Sequence, residues 1–152
     1  LGDCIENVID QLEEELKLDE GCVYEVYEDH LGYATFGIGH LVKESDEEYG
    51  QALGTPVSEE RVTKCFNEDI DTVCEELDKN LPWWRNLPET RQRVLANMCF
   101  NLGYPRLSGF KNFLAALEFE DWETAAEEMM DSRWSEQVGE RAERLRDKML
   151  GY

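Results

Sequence analysis

Strand-like and helix-like periodicities occupy separate parts of this chain, and the strand-like part is too small to fold alone. Residues 23–27 (Val-Tyr-Glu-Val-Tyr) are rich in β-branched and aromatic side chains, Asp29-His30-Leu31-Gly32 supplies turn chemistry, and residues 33–38 return to strand formers. A third short strand is expected at Leu41-Val42. Two or three such strands bury too little to be stable by themselves, so the hairpin must pack on helices. The flanking sequence supplies them. Ile5, Val8, Ile9, Leu12 and Leu16 recur at helical spacing and predict a helix over residues 5–18, closed by Gly21. Ser58, followed by Glu60 and Arg61, reads as the N-cap of a long helix whose apolar stripe is Val62, Cys65, Phe66, Ile70, Val73, Cys74 and Leu77. Pro82 stops it.

Pro88-Glu89-Thr90 starts the next helix, with Val94, Leu95, Met98, Cys99 and Leu102 on its buried stripe and Gly103 after it. Shorter helices are expected over residues 110–117, 121–130 and 139–150. No repeat, low-complexity tract or linker interrupts the pattern. The expectation is one α+β domain, mainly helical, with two lobes. Residues 19–57 form a small hairpin lobe, residues 58–80 a connecting helix, and residues 1–18 with 81–152 a helical lobe.

At 152 residues the chain is long enough for a core without staples, and 41% hydrophobic residues supply it. No stretch approaches the ~20 apolar residues that span a bilayer. The opening Leu1-Gly2-Asp3-Cys4 lacks the cationic-then-apolar pattern of a signal peptide. A net charge of −20 argues against nucleic acid and anionic membranes as partners, since both are bound through basic faces. Five cysteines, Cys4, Cys22, Cys65, Cys74 and Cys99, show no CxxC spacing, and only His30 and His40 could join them. A metal site is not expected, nor any cofactor. Cys65, Cys74 and Cys99 read as small core residues in a reducing compartment.

The stretch with chemical content runs from Glu20-Gly21 to Thr35-Phe36-Gly37-Ile38-Gly39-His40. Glu20 stands at a helix end, Asp29 at a turn nine residues later and Thr35 six further on. If the strands pair, two carboxylates and a hydroxyl converge. Glycoside hydrolysis needs one carboxylic acid for the leaving oxygen and one carboxylate on the opposite face. In a chain with 35 acidic residues, that spacing alone distinguishes nothing. Gly37-x-Gly39 is no nucleotide loop, because the third glycine and a βαβ unit are missing. His40 beside a glycine turn is compatible with a base or a metal ligand. Trp83-Trp84 reads as helix packing rather than sugar stacking.

The whole string resembles the lysozymes of T-even bacteriophages and their relatives, glycoside hydrolase family twenty-four. The positions that carry the resemblance are Glu20-Gly21, Asp29, Gly32-Tyr33, Thr35 and Gly37-Ile38-Gly39-His40. It continues, in order, through Phe66-Asn67-x-Asp69, Asn97-Met98-x-Phe100-Asn101-x-Gly103 and Gly109-Phe110-x-Asn112. Ser132-Arg133-Trp134 and Arg141-Ala142-x-Arg144 complete it, so residues 16–145 are covered.

The resemblance implies a lysozyme-like fold and an N-acetylmuramidase that cuts the β-1,4 bond between N-acetylmuramic acid and N-acetylglucosamine in peptidoglycan, with inversion. Inverting pairs stand ~6.5–9.5 Å apart to admit a water. It assigns Glu20 as general acid, Asp29 as the carboxylate that activates water, and Thr35 as the hydroxyl that holds it. Leu41, Phe100, Asn101 and Asn112 become substrate-binding residues, with Asn101 in place of a longer glutamine. Arg141 matches an arginine that pairs with the catalytic acid, and His40 pairs structurally with Asp69.

The segment between His40 and Val57 is shorter than in relatives, and the chain ends soon after the last arginines. The negative charge also departs from the often basic relatives. The expected setting is the host cytoplasm, as a monomer, with release to the wall by a holin or injection machinery. The alternatives are a weak or inactive peptidoglycan-binding module, a lytic transglycosylase, which needs no water, and a plain helical interaction domain.

Overall fold

The computed structural model describes the backbone of residues 3–152 and the side chains from Val8 onward. It divides into two compact units. One is Glu13–Thr72; the other comprises Val73–Tyr152 and the N-terminal part of the first helix through Leu12. The division falls within helices α1 (Asp3–Glu20) and α2 (Glu59–Asn80).

The Glu13–Thr72 unit holds a three-stranded antiparallel sheet, β1 (Val23–Glu28), β2 (Ala34–Gly37) and β3 (His40–Leu41), in the order β1-β2-β3. Tyr27 faces Thr35, Val23 faces Gly37, and the register slips between them. Thr35 and Phe36 face Leu41 and His40 on the other side. The outer edge of β1 is not left bare. Val26 donates to Thr55 O at 2.9 Å, Gly54 to Val26 O at 2.7 Å and Val57 to Tyr24 O at 2.9 Å. Returning chain thus satisfies a row of groups that would otherwise invite edge pairing. Leu16, Val26, Phe36, Ile38, Val62, Cys65, Phe66 and Ile70 form this unit's buried core.

The hairpin and both long helices fall where the sequence pattern puts them. α1 runs two residues further at each end than residues 5–18, and Gly21, at φ +82°, terminates it by donating to Lys17 O at 3.0 Å. Val8, Leu12 and Leu16 are buried as expected, whereas the side chains of Cys4 and Ile5 lie outside the described residues. Ser58 caps α2 by accepting from Arg61 N at 3.1 Å.

The second unit is built round α3 (Glu89–Leu102), buried on nearly every side: Val94, Leu95, Ala96, Asn97, Met98 and Cys99 are all inaccessible. Its two buried amides are satisfied. Gln92 donates to the carbonyls of Arg85 and Leu87, at 2.9 and 2.7 Å, and Asn97 accepts from Arg141. Around it lie α4 (Tyr104–Leu107), α5 (Lys111–Glu118), α6 (Trp122–Met130), α7 (Arg133–Val138) and α8 (Glu140–Leu150).

α4 and α7 differ from the sequence expectation, which had no helix at either place. Both are too short, at four and six residues, to show an apolar period. Trp84 is buried in a 3₁₀ turn and donates to Asp78 at 2.7 Å, so it packs rather than displaying a stacking face. Burial pushes the Cys65 thiol up to about 11 and the Cys99 thiol up to about 12, as befits inert core cysteines. Among the described residues no helix is long and apolar enough to cross a membrane.

Candidate active site

Glu20 is the last residue of α1, and the reversal at Gly21 leaves its side chain beside the β2–β3 turn. A Cβ at Gly39 would stand 2.9 Å from Glu20 Oε1 and 3.1 Å from its Cδ. Gly39 also has φ +62°, a region costly for any residue with a side chain. The Gly-Ile-Gly sequence therefore has a physical reason at both ends, since a Cβ at Gly37 would come within 3.1 Å of Val62.

Asp29 closes the hairpin. Its Oδ1 accepts from the amides of Leu31 and Tyr33, both at 2.9 Å, while its own amide donates to Tyr33 O at 2.9 Å. This Asx-type turn fixes the carboxylate and leaves Oδ2 without a hydrogen bond among the described residues. Thr35, only 4% exposed, donates its hydroxyl to Tyr33 O at 3.0 Å. Its proton is thereby committed, and what remains at Oγ1 is acceptor capacity. One residue, Tyr33, thus organises both Asp29 and Thr35 through its backbone.

Tyr27, directly across the ladder from Thr35, was not singled out from sequence. Its phenol is held above the usual range by burial first, then by the charges of Glu20 and Asp29. It therefore stays a neutral hydroxyl beside both carboxylates. A register slip between Val23 and Tyr27 hides it from simple strand alternation.

His40 is buried with both ring nitrogens bonded to carboxylates, Nδ1 to Asp69 Oδ2 at 2.7 Å and Nε2 to Asp46 Oδ2 at 2.8 Å. The expected pair with Asp69 is present. Asp46 is a second partner that the sequence did not disclose. Two carboxylate acceptors favour two N–H donors, so the surroundings favour the imidazolium form of the ring. Burial alone would lower its pKa, but the hydrogen bonds to Asp69 and Asp46 outweigh that and raise it. Asp46 is lowered: burial opposes this, and the Lys43 amide and the His40 ring overcome it. Arg61 extends the network with a two-pronged bond to Glu48, 3.0 Å in each arm, and a longer one of 3.4 Å to Asp46. These contacts tie the loop after β3 to α2.

Among the expected site residues, Glu20, Asp29, Thr35, His40, Leu41 and Asp69 lie in the Glu13–Thr72 unit. Leu41 is 51% exposed on β3, opposite Thr35. Phe100, Asn101, Asn112 and Arg141 lie in the helical unit. Asn101 Oδ1 accepts from Trp134 Nε1 at 2.7 Å, which orients the amide with Nδ2 left to donate to a ligand. Asn112 is exposed in the first turn of α5 and lines a cavity of about 660 Å³. Arg141 is buried and donates to Asn97 Oδ1 through Nε at 3.1 Å and Nη2 at 2.8 Å. Among the described residues no three His, Cys, Asp or Glu side chains gather as a metal site.

Comparison with known proteins gives these positions a context. The family model for phage lysozyme matches residues 17–148. The pre-baseplate central spike protein Gp5 of Enterobacteria phage T4 is 31% identical over 87% of this chain, which spans 26% of that protein. The probable T4-type lysozyme 1 of Dictyostelium discoideum is 27% identical, with 91% of this chain and 92% of its own length aligned. The peptidoglycan hydrolase gp36 of Pseudomonas phage phiKMV is 29% identical over 84% of this chain, which spans 14% of it.

Proposed function

Because this chain belongs to the phage lysozyme family, we propose that it is a peptidoglycan hydrolase, an N-acetylmuramidase that cleaves the β-1,4 bond after N-acetylmuramic acid with inversion. The name of the phiKMV relative and those of the Dictyostelium relatives favour this substrate. The observation that carries the reading is the polarity of the Asp29–Thr35 pair. Asp29 Oδ1 is saturated by two amides and Thr35 has spent its proton, so Asp29 Oδ2 and Thr35 Oγ1 can only accept. A water donates two hydrogens, and this pair suits one water. An acid–base pair without a water-holding partner, as a transglycosylase would use, has no need of it.

In this mechanism Glu20 protonates the glycosidic oxygen as the bond to the anomeric carbon breaks. The water oxygen bonds to that carbon, and its proton passes to Asp29 Oδ2 while Thr35 accepts its other hydrogen. Tyr27, kept neutral by burial and by the charges of Glu20 and Asp29, adds no further charge to the site. Leu41, exposed on β3, provides apolar surface for a sugar ring, and the family resemblance assigns Phe100, Asn101 and Asn112 of the helical unit to substrate binding. Digestion of purified peptidoglycan in ¹⁸O water tests the reading. Incorporation of the label at new reducing ends supports it; unlabelled anhydro-sugar ends, or no cleavage, overturn it.

A further inference from the structure

On the sheet face that carries Thr35, one hydroxyl takes no part in the steps assigned to Glu20, Asp29 and Thr35. Tyr27 stands directly opposite Thr35 in the β1–β2 ladder, and Leu41 stands opposite it in the β2–β3 ladder. Side chains of such partners leave the sheet on the same side, with Cβ atoms ~5 Å apart. The bond from the Asp29 amide to Tyr33 O carries the β1–β2 pairing one step further. Asp29, two residues beyond Tyr27, therefore belongs to this face as well. Thr35 is 4% exposed although Leu41 beside it is 51% exposed, so Thr35 lies low between its neighbours. Tyr27 is half-buried, and its hydroxyl makes no hydrogen bond among the described residues. Burial, then the charges of Glu20 and Asp29, hold the phenol above its usual range, so its proton is in place.

We propose that the Tyr27 hydroxyl donates a hydrogen bond to the hydrolytic water and, with Asp29 and Thr35, sets the direction of its attack. This role rests on the hydrolase reading above, since it concerns the same water. Asp29 Oδ2 and Thr35 Oγ1 can only accept, so they engage both water hydrogens and leave both lone pairs of its oxygen open. A water held by two bonds still rocks about the line between its acceptors. A donor on one lone pair stops that rocking and leaves the other to meet the anomeric carbon. Thr35 has given its proton to Tyr33 O, and Asp29 is a carboxylate, so neither is that donor. A lysine or arginine in this place would pair with Asp29 and weaken it as a base, whereas a neutral phenol donates without that effect. The protons balance. As the water oxygen bonds to the anomeric carbon, one water proton passes to Asp29 Oδ2 and the other stays on the new hydroxyl. Glu20 supplies the proton of the leaving oxygen, and Tyr27 keeps its own throughout.

Tyr27→Phe tests this role, because it keeps the ring and removes only the hydroxyl. With no bonded partner lost, its unfolding midpoint should match that of wild type. On solubilised peptidoglycan its kcat should fall about tenfold with KM unchanged. In a Thr35→Val background, where the water is no longer held, the same change should lower kcat by less than about twofold. Unchanged kcat in Tyr27→Phe, a raised KM with kcat kept, or the full tenfold loss repeated beside Thr35→Val would overturn the proposal. Counting the reducing ends formed by wild type keeps two failures apart. Hydrolysis by wild type that Tyr27→Phe matches sinks this role alone. A wild type that forms no hydrolytic ends sinks the hydrolase reading, and this role with it.

Discussion

The Glu20 carboxylate lies so close to Gly39 that a methyl group there would stand 2.9 Å from Oε1. The acid and the turn before His40 are fitted to each other, so the glycine belongs to the placement of Glu20 as much as to the turn. Gly39→Ala must both adopt φ +62° and displace Glu20. The expected stability loss is about 1–2 kcal/mol from the backbone alone, measured by denaturant unfolding. Wall lysis should fall further than stability explains. Unchanged lysis would mean that Glu20 is not placed by this contact.

Thr35 separates a structural from a chemical role. Thr35→Val keeps the shape and loses the hydroxyl, along with its bond to Tyr33 O. Stability should drop by about 1 kcal/mol, whereas the lysis rate should drop by about a hundredfold. Thr35→Ser should keep most of the activity. Equal rates for Val and Ser would show that the hydroxyl holds no water.

The His40 network gives a pH signature with a definite sign. His40 is raised on folding, so its contribution is fully present below the unfolded histidine pKa of about 6.5 and is lost as pH rises through the folded value. Asp46 is lowered, so its contribution is present above the unfolded aspartate pKa of about 3.9 and is lost as pH falls through the folded value. The advantage of wild type over His40→Asn should therefore be greatest between about pH 4 and 6.5, at roughly 2 kcal/mol, and shrink on both sides. Urea unfolding across that range checks it. A difference independent of pH would contradict the ionic network.

Much of this was legible in the chain because its signals are local. Gly21 ends α1, Ser58 caps α2, and the glycines of residues 37–39 are where a Cβ has no room. The pairing of His40 with Asp69 followed from the family resemblance, and the geometry bears it out. The second partner, Asp46, was not legible. It lies in a loop without periodicity, one acid among 35, and only the fold decides which of them meets a histidine six residues earlier. Tyr27 was hidden for a related reason. The register slip between Val23 and Tyr27 breaks the alternation that would have placed it opposite Thr35. The helices α4 and α7 fell below the length at which a stripe can be read.

The net charge of −20 predicts an unusual salt response. An acidic protein approaching an anionic wall is repelled, and salt screens that repulsion over a Debye length of ~10 Å at 0.1 M. Initial lysis rates should rise between ~10 and ~150 mM salt. A monotonic fall would show that local cations such as Arg106, Lys111 and Arg133, rather than the net charge, govern encounter.

The most direct measurement of the central claim compares wild type with Glu20→Gln on purified peptidoglycan, counting new reducing ends and reading their anomeric configuration by NMR in the first minutes. The account predicts reducing muramic acid ends that appear first as the α anomer, and a loss of at least about a hundredfold in Glu20→Gln without loss of fold. Wild-type rates in Glu20→Gln, or ends that appear first as the β anomer, would contradict it.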